Sequence, residues 1–209
     1  MNSLYTILET KIIAIMRNIP DIYIDPLMDA VYAAGIRAIE ATFSNENYDT
    51  ISIISRISER FGDKMAIGAG TVMTAEKVDQ AHRAGASFIV SPNTDIAVVE
   101  RTKELGLISI PGALTPTEIA YADSIGADIV KVFPAGLFGA QYFKAVLAPL
   151  SNIKLAAVAN LKIEDIGGFK KAGAVAFGIS SGIFDKDCIK LRDFNKIYEF
   201  AKKYLEAAR

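Results

Sequence analysis

The chain has a single cysteine, Cys188, and a single histidine, His82, among 209 residues. One of each cannot build a disulfide, a zinc cluster or a histidine-based triad, so no metal and no cofactor are expected. His82 sits beside Arg83 in a helical pattern and reads as a surface residue. A basic block is also missing: 23 Lys and Arg face 24 Asp and Glu for a formal net charge of −1. Nucleic acid and an anionic membrane surface are therefore not expected as partners, whereas a small ligand, or an anion held by local dipoles, is compatible with this balance. The opening residues, MNSLYTILETKIIAIMRN, lack a basic n-region, and Glu9 and Lys11 interrupt their apolar run. They read as neither a signal peptide nor a membrane span, which predicts a cytoplasmic protein. No linker-like stretch divides the chain, and residues 1–209 read as one domain.

What is present is alternation. Apolar runs near 12–17, 37–43, 65–69, 87–91, 107–111, 128–133, 153–158 and 174–178 are separated by segments of helical periodicity. Eight strands interleaved with helices predict an α/β fold, a (β/α)8 barrel near the short end of that class, with an N-terminal and a C-terminal helix. From Leu191 onward Phe194, Ile197, Tyr198, Ala201, Tyr204 and Leu205 share one helical face, as expected for packing on the barrel.

A weak repeat supports closure. Ala34-Gly35-Ile36, Ala84-Gly85-Ala86, Ile125-Gly126-Ala127 and Ala172-Gly173-Ala174 each end a helix just before an even-numbered predicted strand. Five residues beyond these glycines stand Glu40, Val90, Lys131 and Gly178. Alternate strands of a barrel contribute side chains to one interior layer, so the two charged members, Glu40 and Lys131, are expected to face each other across it.

Lys131 lies in Asp128-Ile-Val-Lys-Val-Phe-Pro134, where alternation puts Ile129, Lys131 and Phe133 on one face and Val130 and Val132 on the other. Neither face suits water. Burial favours the neutral amine, which can attack a carbonyl to form a Schiff base. Two structural readings compete with catalysis: an edge strand that lets Lys131 reach solvent, and a buried Glu40–Lys131 ion pair.

The active face is expected in the loops after the strands. Arg17 closes the first strand, and Gly68-Ala-Gly-Thr-Val72 follows the third. Thr94 or Asp95 is a candidate helix cap, and Thr115-Pro-Thr-Glu118 has the form of a capping box. Gly178-Ile-Ser-Ser-Gly182 ends the eighth strand, where backbone N–H groups commonly meet an anion.

The motifs Ile13-Ala-Ile-Met-Arg17, Gly35-Ile-Arg-Ala-Ile-Glu-Ala-Thr42, Ile67-Gly-Ala-Gly-Thr71, Ile89-Val-Ser-Pro92, Pro111-Gly112, Thr115-Pro-Thr-Glu118, Val130-Lys-Val-Phe-Pro134 and Phe138-Gly139 run the length of the chain. In order and spacing they resemble the pyruvate-dependent class I aldolases that cleave 2-keto-3-deoxy-6-phosphogluconate, its galactonate epimer, or 4-hydroxy-2-oxoglutarate. The resemblance implies Lys131 as the Schiff-base lysine and Glu40 as the acid and base. It also implies substrate contacts at Arg17, Thr42, Thr71, Pro92, Phe133 and Val158, phosphate contacts at Gly178, Ser180, Ser181 and Asn160, and a homotrimer. Val158-Ala-Asn-Leu161 departs from the family's paired glycines, which predicts a weakened phosphate loop. Ser44 stands where some members carry an arginine. The alternatives are an isomerase or epimerase barrel for phosphorylated sugars, and a catalytically idle descendant that binds a keto acid.

Overall fold

The apolar runs form strands in the computed structural model, which describes residues 2–43 and 49–209. They are β1 (Ile12–Met16), β2 (Ala38–Thr42), β3 (Ala66–Gly70), β4 (Phe88–Val90), β5 (Ile108–Ile110), β6 (Gly112–Ala113), β7 (Val130–Val132), β8 (Leu155–Val158) and β9 (Ala176–Ile179). All pair in parallel, in the order β5-β4-β3-β2-β1-β9-β8-β7-β6. The fifth predicted strand differs from expectation because Pro111 divides it into β5 and β6. Proline has no N–H for the ladder, and the two pieces pair with different neighbours, β5 with β4 and β6 with β7. The backbone still spans the junction, since Asp128 N–H donates to Ser109 O at 2.9 Å and Lys131 N–H to Pro111 O at 2.8 Å. The barrel is thus the expected eightfold one, with one passage bent at a proline.

The helices are α1 (Ser3–Thr10), α2 (Ile24–Ala33), α3 (Thr50–Phe61), α4 (Ala75–Arg83), α5 (Ile96–Glu104), α6 (Pro116–Ser124), α7 (Gly139–Leu147), α8 (Ile163–Lys171), α9 (Lys186–Lys190) and α10 (Phe194–Ala208). Gly35, Gly85, Gly126 and Gly173 stand just beyond α2, α4, α6 and α8 with φ of 102°, 98°, 105° and 102°. That left-handed backbone stops a helix cleanly and is open to glycine at little cost, which explains the repeat. Asp95 caps α5, while Thr94 instead donates to Gly112 O at 3.0 Å. Thr115 and Glu118 form the capping box at α6.

Strand alternation separates two apolar regions. Val130 and Val132 face the helices, whereas Ile13, Ala66, Phe88, Val90, Ile110, Ile129 and Ala156 fill the barrel. Ile7 of α1 is buried in that inner cluster, with Leu4 and Leu8 packed against it. On the outside α10 packs against α2 and α8 and buries Ile197, Ala201, Tyr204 and Leu205.

Candidate active site at the barrel mouth

Lys131 is in register with Gly112 of β6 on one side and Ala156 of β8 on the other, so its strand is not an edge. The residue is only 6 % exposed, and its Nζ lies 4.9 Å from the centroid of the Phe133 ring. Glu40, in the middle of β2, is 2 % exposed. Its carboxylate lies over Gly70, where a Cβ would come within 1.6 Å of Oε1. Glycine at position 70 is therefore a steric condition for Glu40 to point into the barrel.

Among the described residues, neither group has a salt bridge or side-chain hydrogen bond, to the other or elsewhere. A structural ion pair does not account for them. Burial pushes the Lys131 amine below its ordinary 10.5, and Arg17 adds to this while Glu40 opposes it. Burial likewise raises the Glu40 carboxyl above 4.5, against the pull of Lys131 and Arg17. Both groups are thus biased towards their uncharged forms, an amine able to attack a carbonyl and an acid able to give a proton.

Both open into a cavity of about 1070 Å³. Of the six expected substrate contacts, Arg17, Thr71, Pro92, Phe133 and Val158 line it. Arg17 Nη2 donates to Thr71 Oγ1 at 3.3 Å, joining the loops after β1 and β3. Thr42 departs from expectation: it does not line the cavity and is fully buried at the end of β2, with Oγ1 donating to Met16 O at 3.3 Å. Ser44 lies outside the described residues. Within the predicted layer, Glu40, Lys131 and Gly178 reach the cavity, whereas Val90 packs among the apolar residues of the barrel interior.

Gly178, Ser180, Ser181 and Asn160, the expected phosphate contacts, also line the cavity. The loop after β8 keeps an unusual backbone despite the missing glycines. Ala159 and Asn160 have φ of 74° and 55°, so the left-handed backbone that glycines would favour is kept without them. For Ala159 this conformation costs about 1–2 kcal/mol, and Asn tolerates it better. Two bonds hold the loop: Gly136 N–H donates to Ala159 O at 3.0 Å, and Tyr204 Oη donates to Leu161 O at 3.0 Å.

Sequence reasoning missed several lining residues, among them Tyr23, Lys162, Lys186, Lys190 and Tyr204. Lys186 and Lys190, four apart just after the last strand, were the readable signal; Tyr204 was hidden within the apolar stripe of its helix. Besides Lys131, the residues Arg17, Lys162, Lys186 and Lys190 bring basic side chains to a lining whose one acidic residue, among the described residues, is Glu40. That balance suits an anionic small molecule.

Fold and cavity together describe a (β/α)8 barrel in which a desolvated lysine and a desolvated carboxyl group open into one cavity, an arrangement suited to covalent chemistry on a small carbonyl compound. The chain belongs to the KDPG and KHG aldolase family, whose model matches residues 5–200. It is 34% identical over 204 residues to the 2-dehydro-3-deoxy-6-phosphogalactonate aldolase of Escherichia coli (strain K12), covering 96% of this chain and 98% of that protein. Against the 2-dehydro-3-deoxy-phosphogluconate aldolase of Treponema pallidum (strain Nichols) the identity is 30% over 182 residues, 87% of this chain and 85% of that one. A solved structure described as native KDPGal superposes with a TM-score of 0.86 at 32% identity, covering 94% of this chain and 93% of that one. The chain is an aldolase, an aldehyde-lyase, rather than an isomerase or epimerase. No helix among the described residues is long and apolar enough to cross a membrane.

Proposed function

We propose that Lys131 and Glu40 carry a class I, pyruvate-dependent aldol cleavage of a 2-keto-3-deoxy-6-phospho sugar acid, with 4-hydroxy-2-oxoglutarate as a slower substrate. The observation that supports this most directly is a pair of buried, mutually unbonded groups on β2 and β7 that open into one cavity. Lys131 Nζ adds to the C2 carbonyl, and loss of water from the carbinolamine leaves an iminium. Glu40 gives the proton that leaves with this water and, now a carboxylate, takes the proton of the C4 hydroxyl. The C3–C4 bond breaks, its electron pair passes into the iminium to form an enamine, and the aldehyde departs. Protonation of the enamine at C3 and hydrolysis release pyruvate and free Lys131. Arg17 and Thr71 hold the pyruvyl carboxylate, and Phe133, Pro92 and Val158 form the walls. Thr42 supports this arrangement from behind, through Met16 beside Arg17. Location in the cytoplasm and assembly as a homotrimer belong to the same proposal.

The phosphate is assigned to the loops after β8 and β9. Replacing Ala159 and Asn160 together by glycine removes two side chains from cavity-lining positions, and glycine adopts their left-handed backbone at little cost. The double variant is expected to raise the ratio of kcat/KM for the phosphorylated six-carbon acid over that for 4-hydroxy-2-oxoglutarate. Losing two charge-assisted bonds costs roughly 3 kcal/mol, or about a hundredfold in affinity, which bounds the possible gain. An unchanged ratio would move the preferred substrate to an unphosphorylated keto acid. The chemistry needs no metal, and no group of three His, Cys, Asp or Glu among the described residues is placed to hold one. Exhaustive chelation is expected to leave cleavage unchanged, and activity lost to chelation and restored by a divalent ion would refute the lysine mechanism.

A further inference from the structure

Tyr204 belongs to α10, on the outside of the barrel, yet its side chain lines the cavity at the proposed phosphate end. It touches both loops there. Its Oη donates to the carbonyl of Leu161, which closes the loop containing the left-handed residues Ala159 and Asn160. On the other side the ring packs on Gly182, at the end of the Gly178–Gly182 loop: a Cβ on Gly182 would stand 2.3 Å from Tyr204 Oη and 2.7 Å from Cζ. Gly182 does not have a positive φ, so the tyrosine, rather than the backbone, is what excludes a side chain. Burial, and after it Glu164 and Asp165, raises the phenol above its ordinary 10.0, which keeps it protonated and donating at neutral pH.

We propose that Tyr204 is a positioning residue for substrate specificity: it sets the separation and orientation of the loops after β8 and β9, and so the preference for a phosphorylated tail. The proposal rests on the assignment of those loops to phosphate. Among the described residues no hydrogen bond or ring contact joins Tyr204 to Lys131 or Glu40, so its influence falls on the distal end of the substrate and leaves the covalent steps alone.

Tyr204→Phe keeps the ring against Gly182 and removes only the donor to Leu161. With the phosphorylated six-carbon acid, KM is expected to rise about tenfold or more at nearly unchanged kcat. With 4-hydroxy-2-oxoglutarate both constants should stay within about twofold of wild type, and borohydride trapping of pyruvate should proceed at the wild-type rate. Gly182→Ala approaches the same contact from the other side and is expected to erode the same preference. An equal loss for both substrates would reduce Tyr204 to a structural residue and overturn the proposal, as would an undiminished phosphate preference in both variants. A wild-type enzyme with no phosphate preference would instead overturn the assignment of the loops.

Discussion

Borohydride added to the protein with pyruvate is expected to reduce one pyruvyl unit irreversibly onto Lys131 and to abolish cleavage, and Lys131→Met should neither trap pyruvate nor turn over. The selectivity has a physical basis. An ordinary lysine, with a pKa near 10.4, is uncharged in only about one molecule in 2,500 at pH 7. Lys131 is buried, has no anionic partner bonded to it among the described residues, and has its amine pushed down by desolvation and by Arg17 against the pull of Glu40. Its neutral fraction at pH 7 is correspondingly larger. The trapping rate should climb with pH and level off at an inflection below 10.5, and peptide mapping of the adduct should find Lys131. An adduct on another lysine, or an inflection at the ordinary lysine value, would contradict the assignment. Trapping without any cleavage would identify the protein as the idle keto-acid binder.

Glu40→Gln is expected to slow turnover by about 10²-fold or more, the usual contribution of a positioned acid and base, while pyruvate trapping on Lys131 stays possible at a reduced rate. Stability separates this role from a structural one. Breaking a bonded, buried ion pair costs about 3–5 kcal/mol. Glu40 has no such bond among the described residues, and its carboxyl is raised above 4.5 by burial. The folded state therefore keeps that proton to higher pH than the unfolded chain does, so stability falls as pH rises from 4.5 through the folded value. Glutamine never ionises, and the variant should melt at or above the wild-type temperature at pH 7. A strongly destabilised Glu40→Gln enzyme that turns over normally would make Glu40 a structural partner.

The pairing of Glu40 with Lys131 is legible in the amino-acid sequence because barrel geometry ties strand period to interior layers, and four glycines mark equivalent points on alternate strands. What escapes such a reading depends on contacts between distant segments. Thr42 continues the inward alternation of Ala38 and Glu40, yet the carbonyl of Met16 on the neighbouring strand engages its hydroxyl. Ala159 in a left-handed conformation runs against its intrinsic preference, and the bonds that hold its loop, from Gly136 to Ala159 and from Tyr204 to Leu161, come from distant segments. Pro111 breaks a strand that the apolar pattern draws as continuous, because the pattern records side chains and the break is a missing N–H.

The burial of α1 in the inner apolar cluster has a kinetic consequence. Ile7, with Leu4 and Leu8 beside it, covers an interior already filled by Ile13, Ala66 and Phe88, so traffic to Lys131 passes through the mouth. Under the proposed assignment, a substrate seated with its keto end on Lys131 extends its aldehyde portion towards the opening. After the bond breaks, the fragment nearer the opening departs first, and the three-carbon remainder, still bound covalently to Lys131, follows only after hydrolysis. Under the proposed mechanism the covalent bond to Lys131, with the mouth as the way out, orders the two products, and in the direction of synthesis pyruvate enters before the aldehyde that captures its enamine.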